Sequence, residues 1–276
     1  LRIHSMNILK RKIIRGTILI ANEGINASIS GRREDLSETL KIIKKLLNIR
    51  KLNIKSNKNR FLPFNRIKVR LKKEIVSLGK GGIEVNKFTG QFIKPKDWNN
   101  AIKDNKIKII DVRNRYEINI GKFKGSIDPK TDSFREFPKK LKRIGITKND
   151  KLAMYCTGGI RCEKASAYLK LNGFKYVKQL DGGILNYLNY VKDEKIKSLW
   201  DGDCFVFDDR ITVNTKLEKG EYAQCHGCRH PLTKKELKSK FYAKGVSCPY
   251  CFKSRNKMQK KRSETRQKQI DFAEKN

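Results

Sequence analysis

The sequence predicts an α/β protein of two layered units, each built from strands that alternate with helices, followed by a small cysteine-rich segment. Three observations carry this. Short apolar, β-branched runs such as Gly16–Ala21, Lys108–Arg113 and Tyr176–Leu180 alternate along the chain with stretches in which apolar residues recur at helical spacing. Strand–helix alternation of this kind builds parallel, doubly wound sheets. The run Lys151–Tyr155 passes through a glycine pair, Gly158 and Gly159, into a helix expected from about Cys162. Such strand-to-helix switches are where open α/β sheets bind ligands.

Taken in order, Gly16–Ala21 is a strand, Asn22–Asn26 a turn centred on Gly24, and Ala27–Ser30 a second strand ended by Gly31. Leu36, Leu40, Ile43, Leu46 and Leu47 then recur at helical spacing. Ile67, Val69 and Leu71 alternate with Lys68, Arg70 and Lys72, a half-buried strand with a basic face that either meets solvent or meets RNA. This order predicts a ferredoxin-like α/β sandwich over residues 1–78. Ser5–Ile14 is helix-like. The chain begins with Leu1, as a fragment or an unusual start codon would give.

Residues 79–91 contain Gly79, Gly81 and Gly82 and read as a linker. The second unit, residues 92–198, opens with a short helix after Lys94-Pro95. Lys108–Arg113 is a strand ending in polar residues. Asp111 and Arg113 at its end either brace the cysteine loop or form a plain strand-end ion pair. Ser133–Pro138 mixes aromatic and charged residues, and packing against the domain is the favoured reading over flanking a base. Ala165, Tyr168 and Leu169 give the helix after Cys156 an apolar stripe closed by Gly173. Tyr176–Leu180 is the last parallel strand, and Asp181-Gly182-Gly183 turns into a final helix.

The loop Cys156, Thr157, Gly158, Gly159, Ile160, Arg161 concentrates the chemistry. Glycines let backbone N–H groups turn inward as a nest, and the following helix start adds its positive end. A cysteine at the bottom of such a nest ionises readily and is nucleophilic. Cys162 either resolves an oxidised Cys156 or simply packs at the helix start. Trp200–Arg210 follows, with Asp208, Asp209 and Arg210 either reaching the cysteine pocket or forming a salt-bridge corner, and with Cys204 in an apolar, buried context.

In residues 199–252 the pairs Cys225/Cys228 and Cys248/Cys251 have the spacing of a four-thiolate metal site, and a structural zinc is expected there. His226 and His230 are surplus to that set. Residues 253–276 form a polar, basic tail, a solvated helix or mobile segment that could meet RNA phosphates.

Lys and Arg number 65 against 28 Asp and Glu, a formal net charge of +37. The first reading of that imbalance is a polyanionic partner. No apolar run approaches the ~20 residues of a membrane span, and no signal-peptide pattern is visible. Seven cysteines, an odd number placed in two CxxC pairs and a loop, argue for a reducing, cytoplasmic compartment. No nucleotide-cofactor motif is present, and nothing in the sequence speaks to oligomeric state.

The loop from Cys156 to Arg161 resembles that of rhodanese domains, which cradle a persulfide; phosphatases of related fold carry one residue more. The longer string Met154–Ser166 is more specific and resembles the rhodanese-type tRNA uridine(34) hydroxylase family. Glu23–Asn26, Arg66–Arg70, Asp111–Arg113, Glu117, Gly121–Gly125 and Trp200–Arg210 resemble the same family. The resemblance implies a rhodanese-like catalytic unit, tRNA as partner, and hydroxylation of the wobble uridine to 5-hydroxyuridine with molecular oxygen as co-substrate. It also implies one more strand before the helix-like Ser5–Ile14, which is missing here. Two other functions fit the residues alone: a sulfurtransferase carrying a persulfide on Cys156, and a non-catalytic tRNA-binding module.

Overall fold

The computed structural model describes residues 13–59 and 61–275. The helix expected over Ser5–Ile14 therefore falls, but for its last two residues, outside the described residues. The first unit is a three-stranded sheet of order β2-β1-β3, with β1 Arg15–Ala21, β2 Gly24–Ser30 and β3 Ile67–Leu71. β1 pairs antiparallel with β2 and parallel with β3. The hairpin is tighter than expected: Ala21 pairs with Gly24, so Asn22 and Glu23 alone make the turn and Gly24 opens β2 at φ +135°. Helix α1, Arg33–Leu46, lays Ile43 on Ile18 and Val69.

The second unit is a four-stranded parallel sheet of order β4-β8-β7-β5. Its strands are β4 Gln91–Ile93, β5 Ile107–Asp111, β7 Lys151–Tyr155 and β8 Tyr176–Leu180. Helices α3 (Pro95–Lys103) and α7 (Gly183–Asp193) cover one face, where Trp98, Tyr155, Tyr187 and Leu188 are fully buried. Helices α5 (Phe137–Leu141) and α6 (Ile160–Leu171) cover the other, with Phe134, Phe137, Leu152, Ala165 and Leu169 at its centre. Phe134 and Phe137 stack at 5.9 Å, so the aromatic stretch at 133–138 packs, as favoured from sequence. Each such large apolar side chain contributes roughly 1.5–3 kcal/mol by leaving water.

Residues 79–91, read as a linker, carry the short helix α2 (Val85–Phe88) and the first residue of β4. Gly90 explains the close fit: its N–H donates to Ser166 Oγ at 2.8 Å, and a Cβ there would lie 2.8 Å from Val177 O. α6 is buried on more than one stripe, because the first unit and residues 74–78 pack on its outer side. Lys164, only 3% exposed, donates to Glu23 at 2.9 Å, to Glu74 at 2.5 Å and to Val76 O at 3.1 Å. The Asn22-Glu23 turn is thereby pinned to the helix that follows Cys156.

Beyond α7, the antiparallel pair of β6 (Gly121–Phe123) and β9 (Trp200–Gly202) closes the end of the core. Strands β10 (Cys204–Phe205) and β11 (Thr212–Val213) lead into the cysteine knuckles, and α9, Lys257–Lys275, ends the described chain. No helix among the described residues is long and apolar enough to cross a membrane.

Candidate active site and metal centre

Cys156 directly follows β7 at the C-terminal edge of the parallel sheet and is 2% exposed. Helix α6 begins at Ile160, two residues earlier than expected. The reason is Gly159, which takes φ +95° as the N-cap, turning the chain at once into the helix so that its N–H donates to Cys156 Sγ at 3.2 Å. The loop is held from beneath by α7: Ile184 N–H donates to Cys156 O at 2.9 Å and Leu185 N–H to Thr157 O at 3.1 Å. Gly183 makes that approach possible, since a Cβ there would lie 2.3 Å from Cys156 O. With the carbonyls drawn toward α7, the N–H groups face the sulfur. Gly158 is exposed and a Cβ on it would meet nothing within 4 Å, so it borders the open mouth of the site.

Burial would push the Cys156 thiol up. The Cys162 thiol, the Arg161 charge and the N–H groups of Cys162 and Arg161 outweigh it, and the pKa is pulled down to about 6. Cys162 is fully buried, and its own thiol is pushed well up by burial and by the neighbouring Cys156. Burial and its neighbour thus favour the protonated Cys162 thiol, which in turn favours the thiolate at Cys156.

Arg161 does more than face the sulfur. Its Nη1 and Nη2 donate to the two carboxylate oxygens of Glu117 at 2.6 and 2.7 Å, with the Glu117 side chain wholly buried. Thr157 Oγ1 lies 3.4 Å from Glu117 Oε2 and from Phe205 O. Burial would raise the Glu117 carboxyl, but Arg161, then Arg113 and the Asn114 N–H hold it below the ordinary glutamate value. Glu117 sits on the single-turn helix α4, Arg115–Ile118, as the N3 residue of a capping box with Asn114.

Asp111 and Arg113 do not touch the cysteine loop. Both are completely buried, paired at 2.6 Å. Arg113 also donates to Glu117 O at 3.1 Å and Gly121 O at 2.7 Å, and lies 4.9 Å over the Trp200 ring. They brace α4, and so position Glu117, which holds Arg161. Glu117 pairs with Arg161 across 44 residues of sequence, and no local pattern signals that pairing.

Asp208 and Arg210 form the corner reading: Arg210 Nη2 and Nε donate to Asp208 at 2.6 and 2.9 Å, and Asp209 N–H donates to Pro63 O. Besides the Phe205 carbonyl at Thr157, the residue of this string that reaches the site is Phe207. It is 65% exposed, with its ring 5.8 Å from the Arg161 guanidinium carbon. Cys204 is buried as expected, its thiol pushed up to about 12 by burial.

Cys225, Cys228, Cys248 and Cys251 converge, with all four sulfurs within 4.8 Å of one another, and could hold a metal ion. Neighbouring sulfurs are 3.9 Å (225–251), 3.6 Å (228–248) and 3.8 Å (248–251) apart, too far for disulfides. An ion bound tetrahedrally at about 2.3 Å from each sulfur requires sulfurs about 3.8 Å apart. His226 and His230 stay outside the set. His230 instead stacks on Tyr250 at 4.7 Å and meets Tyr116 at 5.3 Å, which docks the knuckle against α4 beside Glu117.

Residues 1–75 match the UPF0176 acylphosphatase like domain and residues 94–190 the Rhodanese-like domain. A tRNA uridine(34) hydroxylase from Pelagibacter ubique is 50% identical over 97% of this chain and 87% of its own. Among solved structures, a rhodanese-related protein from Thermoplasma volcanium is 25% identical, covering 36% of this chain and 92% of its own at a TM-score of 0.31. A rhodanese-like domain protein from Staphylococcus aureus is 24% identical, covering 35% and 90% at 0.31.

Proposed function

The chain belongs to the tRNA uridine(34) hydroxylase family, and from that membership we propose that it hydroxylates wobble uridine 34 of tRNA at C5, using molecular oxygen and Cys156. The observation that carries this is the identity along nearly the whole chain to a hydroxylase of that name. The chemistry of the loop supports it. A thiolate adds to C6 of the base, which makes C5 nucleophilic toward oxygen. The loop N–H groups and Arg161 are placed to stabilise negative charge at the reacting centre. One oxygen atom stays on C5; the other leaves as water and takes up two electrons and two protons. Once Cys156 is expelled from C6, it and Cys162 supply the two electrons by passing to a disulfide. One proton comes from the Cys162 thiol and the other from water, because Cys156 enters as a thiolate. A cellular dithiol then reduces the disulfide.

We divide the chain, on this reading, into a ferredoxin-like unit over 1–78, the catalytic unit over 92–198, and a knuckle segment over 199–252 with a basic tail. The compartment is the cytoplasm, where tRNA and reduced thiols coexist.

Nucleoside mass spectrometry tests the function. tRNA from cells lacking this protein should lose 5-hydroxyuridine at position 34 and regain it with the wild-type chain. Unchanged tRNA, together with turnover of thiosulfate to thiocyanate by the purified protein, would leave the sulfurtransferase reading in its place.

The four-thiolate cluster we assign to a structural zinc. Its sulfur spacing fits the ion, and the segment's own core is little more than Leu232, Leu237, Tyr242 and the cysteines themselves. Binding free energy is then folding free energy for this segment. Metal analysis should find about one zinc per chain, lost in Cys228→Ser/Cys251→Ser together with ordered amides over residues 223–255. Metal-free protein in which that segment keeps its protection from exchange would refute the assignment.

A further inference from the structure

Four cations from two distant parts of the chain gather beside the mouth of the site. Arg66, Lys68 and Arg70 alternate along the β3 segment and so share one face. Arg229, from the first knuckle, joins them: burial and the charges of Arg66, Arg70 and Arg229 together lower the Lys68 ammonium. The charge of Asp209 opposes them there. Among the described residues none of the four side chains pairs with a carboxylate.

Arg229 is also held in an unfavourable backbone state. The chain turns after Cys228, with Arg229 N–H donating to Cys225 O at 2.7 Å and φ at +68°. That region suits glycine, so the exposed arginine there sits at a strained backbone position. The cluster is continuous with the catalytic loop. The Asp209 N–H donates to Pro63 O at 2.9 Å, shortly before Arg66, and Tyr116 meets His230, the residue after Arg229, at 5.3 Å. The Tyr116 ring meets Phe205 at 5.3 Å, and Phe205 meets the exposed Phe207 at 5.1 Å. An unpaired basic strip ending on an exposed aromatic ring is how proteins hold unpaired nucleotides, with phosphates on the cations and a base on the ring.

We propose that this strip is the anticodon-loop surface: Arg66, Lys68, Arg70 and Arg229 hold loop phosphates, and Phe207 stacks on the base presented to Cys156. The proposal rests on the hydroxylase reading for its partner. It gives the knuckle a second task, that of projecting Arg229 toward β3.

The test measures binding of an unmodified tRNA transcript to the full-length chain across a salt series, with melting temperature recorded for each variant. Each lost phosphate contact should flatten the slope of log affinity against log salt by about 0.7 to 1. Arg229→Gly should do so with an unchanged or higher melting temperature, because glycine relieves the positive φ. Lys68→Gln should flatten the slope equally, and Arg66→Gln/Arg70→Gln by twice as much. Phe207→Ala should leave the slope in place and weaken binding about tenfold. The control is Lys103→Gln/Lys106→Gln, just before β5 begins and so at the opposite end of the sheet from Cys156. A slope unmoved by both Arg229→Gly and Lys68→Gln, or a control that flattens it as much, overturns the surface. Wild-type protein that binds tRNA with this slope pattern and yet makes no 5-hydroxyuridine would instead remove the hydroxylase reading and leave the surface standing.

Discussion

Cys156→Ser is expected to bring 5-hydroxyuridine formation below detection while leaving tRNA affinity nearly unchanged. A serine hydroxyl in the same nest stays protonated at neutral pH, so the nucleophile disappears while the loop keeps its shape. The reactivity being removed can be read directly. Alkylation of Cys156 followed against pH should show a midpoint near 6, the value set by burial opposed by Cys162, Arg161 and the helix-start N–H groups, against ~8.5 for free cysteine. The partner thiol separates its two tasks. Cys162→Ala removes the donor and should raise the midpoint; Cys162→Ser keeps a donor and should raise it less, while neither can complete a disulfide. Gly159→Val should damage both readouts. Its Cβ would find ordinary contacts near Gly182, but φ +95° resists any side chain and a β-branched one most. A midpoint near that of free cysteine, with full activity in Cys156→Ser, would take Cys156 out of the reaction.

The parts legible in the sequence were those with a local signature. A cysteine, two glycines and an arginine between a strand and a helix announce a nest, and the structure builds one between β7 and α6. Two CxxC pairs announce converging thiolates, and the four sulfurs converge. What escaped was long-range. Glu117 meets Arg161, and Glu23 and Glu74 meet Lys164, only because separate elements fold onto α6. Sequence periodicity marks which positions are apolar; it does not mark a lysine that is buried because two glutamates come to it. The turn at Asn22-Glu23 shows the same limit. A glycine in a polar run suggested the turn's centre, but strand pairing through Gly24 decided it. The basic alternation on β3 was visible, whereas its neighbour Arg229 arrives from the knuckle, more than 150 residues on.

Glu117→Gln is expected to be strongly destabilising, and to act on Cys156 in the opposite sense from a general loss of structure. Glu117 and Arg161 form a two-toothed pair whose carboxylate is wholly buried and whose guanidinium is 9% exposed. A neutral amide leaves the cation without its counter-charge where water cannot reach it, a loss of about 3–5 kcal/mol. The pH dependence carries a sign. The Glu117 carboxyl lies below its ordinary value in the folded chain. Its contribution is therefore fully present above the unfolded value of ~4.3 and is lost as pH falls through the folded one. The gap in unfolding free energy between wild type and Glu117→Gln should be wide at pH 7 and narrow in acid. At the sulfur, Arg161 relieved of its carboxylate is a stronger positive neighbour, so the alkylation midpoint of Cys156 should fall below its wild-type value. A merely loosened site would let water in and move the midpoint up, toward free cysteine. Denaturant titrations at two pH values and the alkylation curve decide between them: a loss under about 1 kcal/mol at pH 7, where only exposed pairs belong, or a midpoint that rises, would mean that Glu117 does not govern the charge on Arg161.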